Sequence, residues 1–118
     1  MEDKKIIVDT SVWIEYFKNN EKFVLVIEDN LNLENIFITG IIISELLHGV
    51  KGASEYKMLS KSIGAVPYIE CIYDDWLKTG EILFKLKQEG IYVPLTDALI
   101  TAIALRKNTS ILTLDKHF

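Results

Sequence analysis

The sequence predicts an α/β domain built on a parallel sheet, and three observations predict it. Short apolar runs of strand length recur along the chain: IIV from Ile6, IFIT from Ile36, YIECI from Tyr68 and ILTL from Ile111. Longer stretches with helical character separate them, as parallel strands require, because each crossover needs a dozen or more residues. Two of the runs also end on a bare aspartate, Asp9 and Asp115, and open parallel sheets bind their ligands beyond the carboxyl ends of the strands. With 118 residues and no repeat, low-complexity tract or Pro/Gly linker, the chain reads as one domain over 1–118.

The elements follow in order. KIIVD is the first strand, and Thr10 or Ser11 is placed to cap a short helix carrying VWIEYF. Asn19 and Asn20 punctuate before the helix EKFVLVIEDNL, and NIFIT is the second strand. After Gly40, IIISELLHGVK fits a buried helix, although its opening isoleucines equally suit a longer strand. Ser54 is placed to cap EYKMLSKSI, which Gly64 ends. Pro67 precedes the third strand, YIECI. Asp74 and Asp75 open the longest helix, DWLKTGEILFKLKQE, where acids suit the positive end and Gly90 supplies the stop. Thr96 and Asp97 enter an alanine-rich helix whose last turn carries Arg106 and Lys107. SILTLDKHF holds the fourth strand.

Composition narrows the class. Hydrophobic residues make up 49% of the chain, too many for disorder, and no apolar run approaches the ~20 residues that span a bilayer. Only three apolar residues follow Met1 to Lys5 before a charge, short of the apolar core of a secretion signal. The single cysteine, Cys71, reads as a buried, inert thiol, and a reducing cytoplasm is the expected compartment. The formal net charge of -4 is not the basic footprint of a nucleic-acid binder. Four acids engaged with a cation would leave acids and bases equal in number. Lys51, Lys57 and Lys61, the pair Arg106 and Lys107, and Lys116 beside His117 form small basic clusters, which solvated helix faces explain more often than phosphate contacts do.

The acids carry the chemistry. An isolated carboxylate costs many kcal/mol to bury as an ion, so Asp9 at the end of an apolar strand calls for compensation. Asp9 and Asp115 share the carboxyl rim of a parallel sheet, and Asp97, in the first turn of its helix, can sit at the same rim. Glu45 is the fourth candidate, a lone acid among the apolar residues of IIISELLHG. Each has an ordinary reading: Asp97 as a helix-start residue, Asp115 as a turn residue, Glu45 as a surface acid. Their conjunction matters more. Converging carboxylates repel, and a divalent cation removes that penalty. An all-oxygen site suits Mg²⁺ or Mn²⁺ rather than zinc. His48 and His117 are too few and too badly placed for a zinc site, and His48 reads as a packing or surface residue.

The segments VDTSVWIEYF, SELLHGV, TDALITAIAL and ILTLDKHF, in this order and at this spacing, resemble the four motifs of the PIN-domain nucleases, in particular the small VapC-type toxin ribonucleases of toxin-antitoxin pairs. The resemblance covers practically the whole chain. It implies a three-layer PIN-like fold with a central parallel sheet of four to five short strands flanked by helices. It also implies that Asp9, Glu45, Asp97 and Asp115 form the catalytic metal site, and that Ser11 and Thr113 are the hydroxyl residues that hold those carboxylates, as metal sites generally need. Similar chains usually run on past LDKHF into another helix and a final strand, so the domain over 1–118 is expected to lack them.

The implied activity is endonucleolytic cleavage of RNA leaving a 5′-phosphate and a 3′-hydroxyl. Single-stranded or looped regions are the expected targets, since duplex RNA hides its base edges. A bound cation, or two about 4 Å apart, would lower the pKa of a water and polarise the phosphodiester, with Asp97 or Asp115 orienting or deprotonating the attacking water. The helix after Asp9 is apolar almost all round, with Val12, Trp13, Ile14, Tyr16 and Phe17 against Glu15 alone, where an ordinary surface helix shows one stripe. Core packing and a partner interface both account for it. The resemblance favours the interface, implying a homodimer and a VapB-like antitoxin that wraps the groove near the site. Three rivals stand beside this reading. A haloacid-dehalogenase-type phosphotransferase wants a second acid where the chain has Ser11. A metal-dependent DNA nuclease of related fold is chemically compatible. A non-catalytic PIN-like binding module would not need carboxylates at all four positions.

Overall fold

Ile7 and Val8 have no exposed surface because their strand, β1 (Ile6–Val8), is paired on both sides and covered on both faces. A computed structural model describes residues 4–32, 34–116 and 118. After β1 come α1 (Thr10–Phe17), α2 (Glu21–Asn32), β2 (Ile36–Thr39), α3 (Gly40–His48), α4 (Ala53–Ile63), β3 (Tyr68–Ile69), α5 (Tyr73–Gln88), α6 (Leu95–Lys107) and β4 (Ser110–Leu112). The four strands among the described residues form one parallel sheet in the order β3-β2-β1-β4. This is the α/β architecture the sequence predicts.

That order decides which helices cover which face. Right-handed crossovers from β1 to β2 to β3 put α1 through α4 on one side, and the return from β3 to β4 lays α5 and α6 on the other. Side-chain alternation agrees. Ile38 shares a groove with Trp13, Leu31 and Ile63 from α1, α2 and α4. Phe37, pointing the opposite way, lines a recess with Lys107 and Thr109 at the end of α6.

The element ends revise several expectations. The isoleucines after Gly40 are helical, with Ile42 buried in α3. β3 is two residues rather than YIECI, because Pro67 accepts from the Ile38 N–H at 2.9 Å but has no N–H to return, and Ile72 already serves as the N-cap of α5. Neither Thr10 nor Ser11 caps α1; Asp9 holds that position, since the Ser11 hydroxyl turns back to the Asp9 carboxylate. Gly52, not Ser54, is the N-cap of α4, which ends at Gly64 as expected. Gly90, at φ 76°, closes α5. Its N–H reaches the Lys87 carbonyl and that of Ile91 the Leu86 carbonyl, the paired bonds of a Schellman motif.

α6 is buried almost all round, by Ala98, Leu99, Ile100, Ala102, Ile103 and Ala104, and its small residues let neighbours approach closely. α5 packs antiparallel to it. Arg106, in the last turn of α6, donates from Nε to Asp75 Oδ1 at 2.8 Å and from Nη2 to Asp75 Oδ2 at 3.0 Å and to the Glu70 carbonyl at 2.6 Å. Asp75 also accepts the Ile72 N–H at 3.0 Å. Burial pushes the Asp75 carboxyl up, but the Arg106 and Ile72 hydrogen bonds and the Arg106 charge outweigh it and hold the group below its ordinary value. Arg106 is therefore a structural residue, not part of a basic surface cluster with Lys107. Lys51, Lys57, Lys61 and His48 are exposed, and His117 lies outside the described residues. Cys71 is half-buried, and burial, with Asp75 adding to it, raises its thiol pKa, in keeping with an inert group. No helix among the described residues is long and apolar enough to cross a membrane.

Candidate active site

Asp9 stands where β1 gives way to α1. Its backbone N–H still pairs with the sheet, donating to the Leu112 carbonyl at 2.9 Å, and its side chain is buried. Although it occupies the N-cap position, it makes no side-chain cap bond. Two hydroxyls hold it instead. Ser11 Oγ donates to Asp9 Oδ2 at 3.0 Å and Thr113 Oγ1 to the same oxygen at 2.8 Å. The segment after β4 is tied to these hydroxyls, with the Leu114 N–H donating to Ser11 Oγ at 3.0 Å and the Asp115 N–H to Thr113 Oγ1 at 2.9 Å. Asp115 is thus fixed through its backbone to the residue that fixes Asp9.

Glu45 projects from α3 and is exposed, and its Oε1 accepts the Thr10 hydroxyl at 2.9 Å. Sequence reasoning missed this role for Thr10, whose one signal was its place directly after Asp9. Asp97 reaches the same edge by topology. α6 ends at Lys107 just before β4 begins, so it runs antiparallel to the strands and its first turn lies at the carboxyl edge of the sheet. Asp97 is 9% exposed, and Thr96 beside it lines one depression with Gly40, Ile41, Ser44 and Glu45. An acid in the first turn also suits the positive end of the helix.

The structure therefore gathers Asp9, Ser11, Thr113 and the Asp115 backbone into one hydrogen-bonded cluster, places the Thr10–Glu45 pair next to it along the chain, and sets Asp97 at the same edge. Among the described residues, no three His, Cys, Asp or Glu side chains lie close enough to enclose a metal ion. Nor does any basic side chain among them pair with Asp9 or Glu45. The donor set fits a hard divalent cation. It consists of oxygens only, and Mg²⁺ is ordinarily held by one or two carboxylates with water completing its shell, not by an all-protein cage. Asp9 meets that requirement directly: both hydroxyls fix Oδ2, and Oδ1 lies outside those two bonds.

A family model of the PIN domain matches residues 6–118. Curated proteins yield no match. Among solved structures, the chain is similar to VapBC2 from Rickettsia felis bound to a DNA fragment from their promoter, with a TM-score of 0.81 and 19% identity over 93% of this chain and 86% of that one. FitAcB from Neisseria gonorrhoeae gives 0.79 and 22% over 93% and 87%. DNA-bound VapBC from Salmonella typhimurium gives 0.76 and 22% over 91% and 83%. At these identities the likeness to solved structures is one of fold. The family match spans the strand that leads into Asp9, the helices that carry Glu45 and Asp97, and the turn that carries Asp115, and on that ground the chain belongs to the PIN-domain family.

Proposed function

We propose that this chain is a Mg²⁺- or Mn²⁺-dependent endoribonuclease and the toxin of a VapBC-type toxin-antitoxin pair. The observation that carries the reading is the cluster around Asp9. A buried carboxylate held by two hydroxyls, with no basic side chain among the described residues to neutralise it, is an expensive feature to keep for stability alone. In this reading Asp9, Glu45, Asp97 and Asp115 make up the acidic metal site, with one or two of them on the cation and the others reaching it through its waters. When bound, it supplies Lewis acidity at the phosphodiester and lowers the pKa of a water. Ser11 and Thr113 keep Asp9 from rotating, and Thr10 does the same for Glu45. Asp97 or Asp115 takes the proton from the water that attacks phosphorus, the bond from phosphorus to the 3′-oxygen breaks, the departing 3′-oxygen takes a proton from solvent, and the products are a 5′-phosphate and a 3′-hydroxyl.

The surface supports the partners. Trp13, Tyr16, Phe17, Leu31, Ile63 and Val66 line a mainly apolar groove of about 140 Å³ between α1, α2 and α4, suited to an apolar segment of a VapB-like antitoxin. Tyr73, Trp76, Leu77 and Phe84 are all at least half exposed along α5 at helical spacing, suited to a second copy in a homodimer. An RNA target is in keeping with the cytoplasmic location expected from the sequence.

The test is cleavage of single-stranded and structured RNA by the purified protein in Mg²⁺ or Mn²⁺, beside EDTA, a deoxyribose substrate and Asp9→Asn purified identically. Metal-dependent cutting of RNA alone, abolished in Asp9→Asn, is the expected result. Equal activity in both proteins would mark a contaminant. Cutting of the deoxyribose strand would favour the DNA nuclease, and cation binding without turnover on any strand would favour the binding module.

A further inference from the structure

β2 ends as β1 does. Each strand passes directly into a helix through a polar residue at the N-cap position, Asp9 before α1 and Thr39 before α3, and neither side chain caps its helix. Thr39 has no exposed surface, and its Oγ1 is buried without a hydrogen-bond partner among the described residues. A buried hydroxyl left in this state is costly, because it has lost its water and gained nothing. Such a group calls for an explanation.

Register gives one. Ile7 pairs with Phe37, and Val8 with Leu112. Alternation carries the first pairing two residues on, to Asp9 beside Thr39, and the second one residue on, to Asp9 beside Thr113. All three side chains leave the sheet on the side that α6 covers, the side of Asp97. Asp9 is therefore flanked by Thr39, the last residue of β2, and by Thr113, the residue that follows β4. Thr113 is bonded to Oδ2, and Thr39 stands on the opposite side of the same carboxylate with its hydroxyl unused.

We propose that Thr39 is a positioning residue whose hydroxyl holds a water in the hydration shell of the divalent cation bound at Asp9. The inference rests on the metal-dependent reading above. A cation held by few carboxylates keeps several waters, and those waters need partners in the protein to be fixed. Thr39 supplies one from within the fold, with a hydroxyl that can donate and accept.

The experiment measures Mn²⁺ affinity by the loss of the free-ion EPR signal, with thermal unfolding in EDTA and in saturating Mn²⁺, for the wild type, Thr39→Val and Thr39→Ser. Valine keeps the shape and removes the hydroxyl; serine keeps the hydroxyl. Thr39→Val is expected to bind Mn²⁺ about 10–100-fold more weakly, the usual effect of losing an outer partner. Its metal-free form is expected to melt no lower than wild type, since no bond in the protein is lost. Thr39→Ser is expected to retain wild-type affinity. Unchanged affinity in Thr39→Val overturns the proposal while leaving the metal-dependent reading intact. A marked fall in the metal-free melting temperature of Thr39→Val overturns it too, by showing that the hydroxyl serves the fold. A wild type that takes up no Mn²⁺ overturns the metal reading and this inference with it.

Discussion

Asp9 and Asp75 are both buried carboxylates at the start of a helix, 6% and 1% exposed, and they are solved in opposite ways. Asp75 has a guanidinium clamped on both its oxygens and a backbone N–H besides, so its charge is neutralised within the fold. Asp9 has two hydroxyls on one oxygen and no ion pair among the described residues. The first arrangement leaves nothing for a ligand to do. The second orients a negative charge and leaves its neutralisation to something else. Burial of an acid alone does not separate structure from function; the partner does.

The sharpest break of this comparison exchanges one residue at each site. Asp9→Asn should abolish RNA cleavage and leave stability within about 1 kcal/mol of wild type, since an amide oxygen still accepts from Ser11 and Thr113. Arg106→Ala should do the reverse, retaining activity in the folded protein and costing about 3 kcal/mol. That is the lower end for stranding a buried ion, because the Arg106 side chain keeps 24% of its surface exposed. Urea denaturation and single-turnover cleavage on the same samples check both. Next in size, Thr113→Val should lower Mn²⁺ affinity about 10–100-fold, read by titration of the purified protein.

Acid sharpens the contrast further. The Asp75 carboxyl is held below its ordinary value of about 3.9, so the stability it contributes is fully present above that pH and is lost as pH falls through its lower folded value. In Arg106→Gln, burial acts with no guanidinium to oppose it and drives the folded-state pKa of Asp75 upward, so the melting-temperature deficit relative to wild type should be largest near neutral pH and shrink as acid protonates the stranded carboxylate. The smallest effect is expected at Glu81, an exposed residue paired with Lys78 and Lys85 at 3.5 Å and 2.9 Å. Glu81→Gln should not measurably shift the urea midpoint.

Much of this arrangement was legible in the sequence because it depends on local pattern. Apolar runs ended by acids marked the strands and their rim, and Gly64 and Gly90 marked the ends of α4 and α5. What depends on contacts across the fold was not legible. Asp75 and Arg106 lie 31 positions apart, and each alone reads as an ordinary charge near a helix end. Thr10 read as a helix cap because nothing local says that its hydroxyl reaches Glu45. The length of β3 was overread because apolar composition continues past Ile69, while the backbone is already turning into α5.

The central place of β1 bears on how the protein is made. One neighbour of that strand, β2, follows closely in the chain, but the other, β4, is the last of the four. Thr113, the hydroxyl closest to the Asp9 carboxylate, lies 104 positions away. At about 5–20 residues per second, the ribosome delivers it roughly 5–20 s after Asp9. A growing chain can stack its first helices on β1 during that interval, yet it has no second wall for the carboxylate. For an enzyme whose proposed target is RNA, the site is withheld until translation has carried β4 and the residues after it clear of the ribosome.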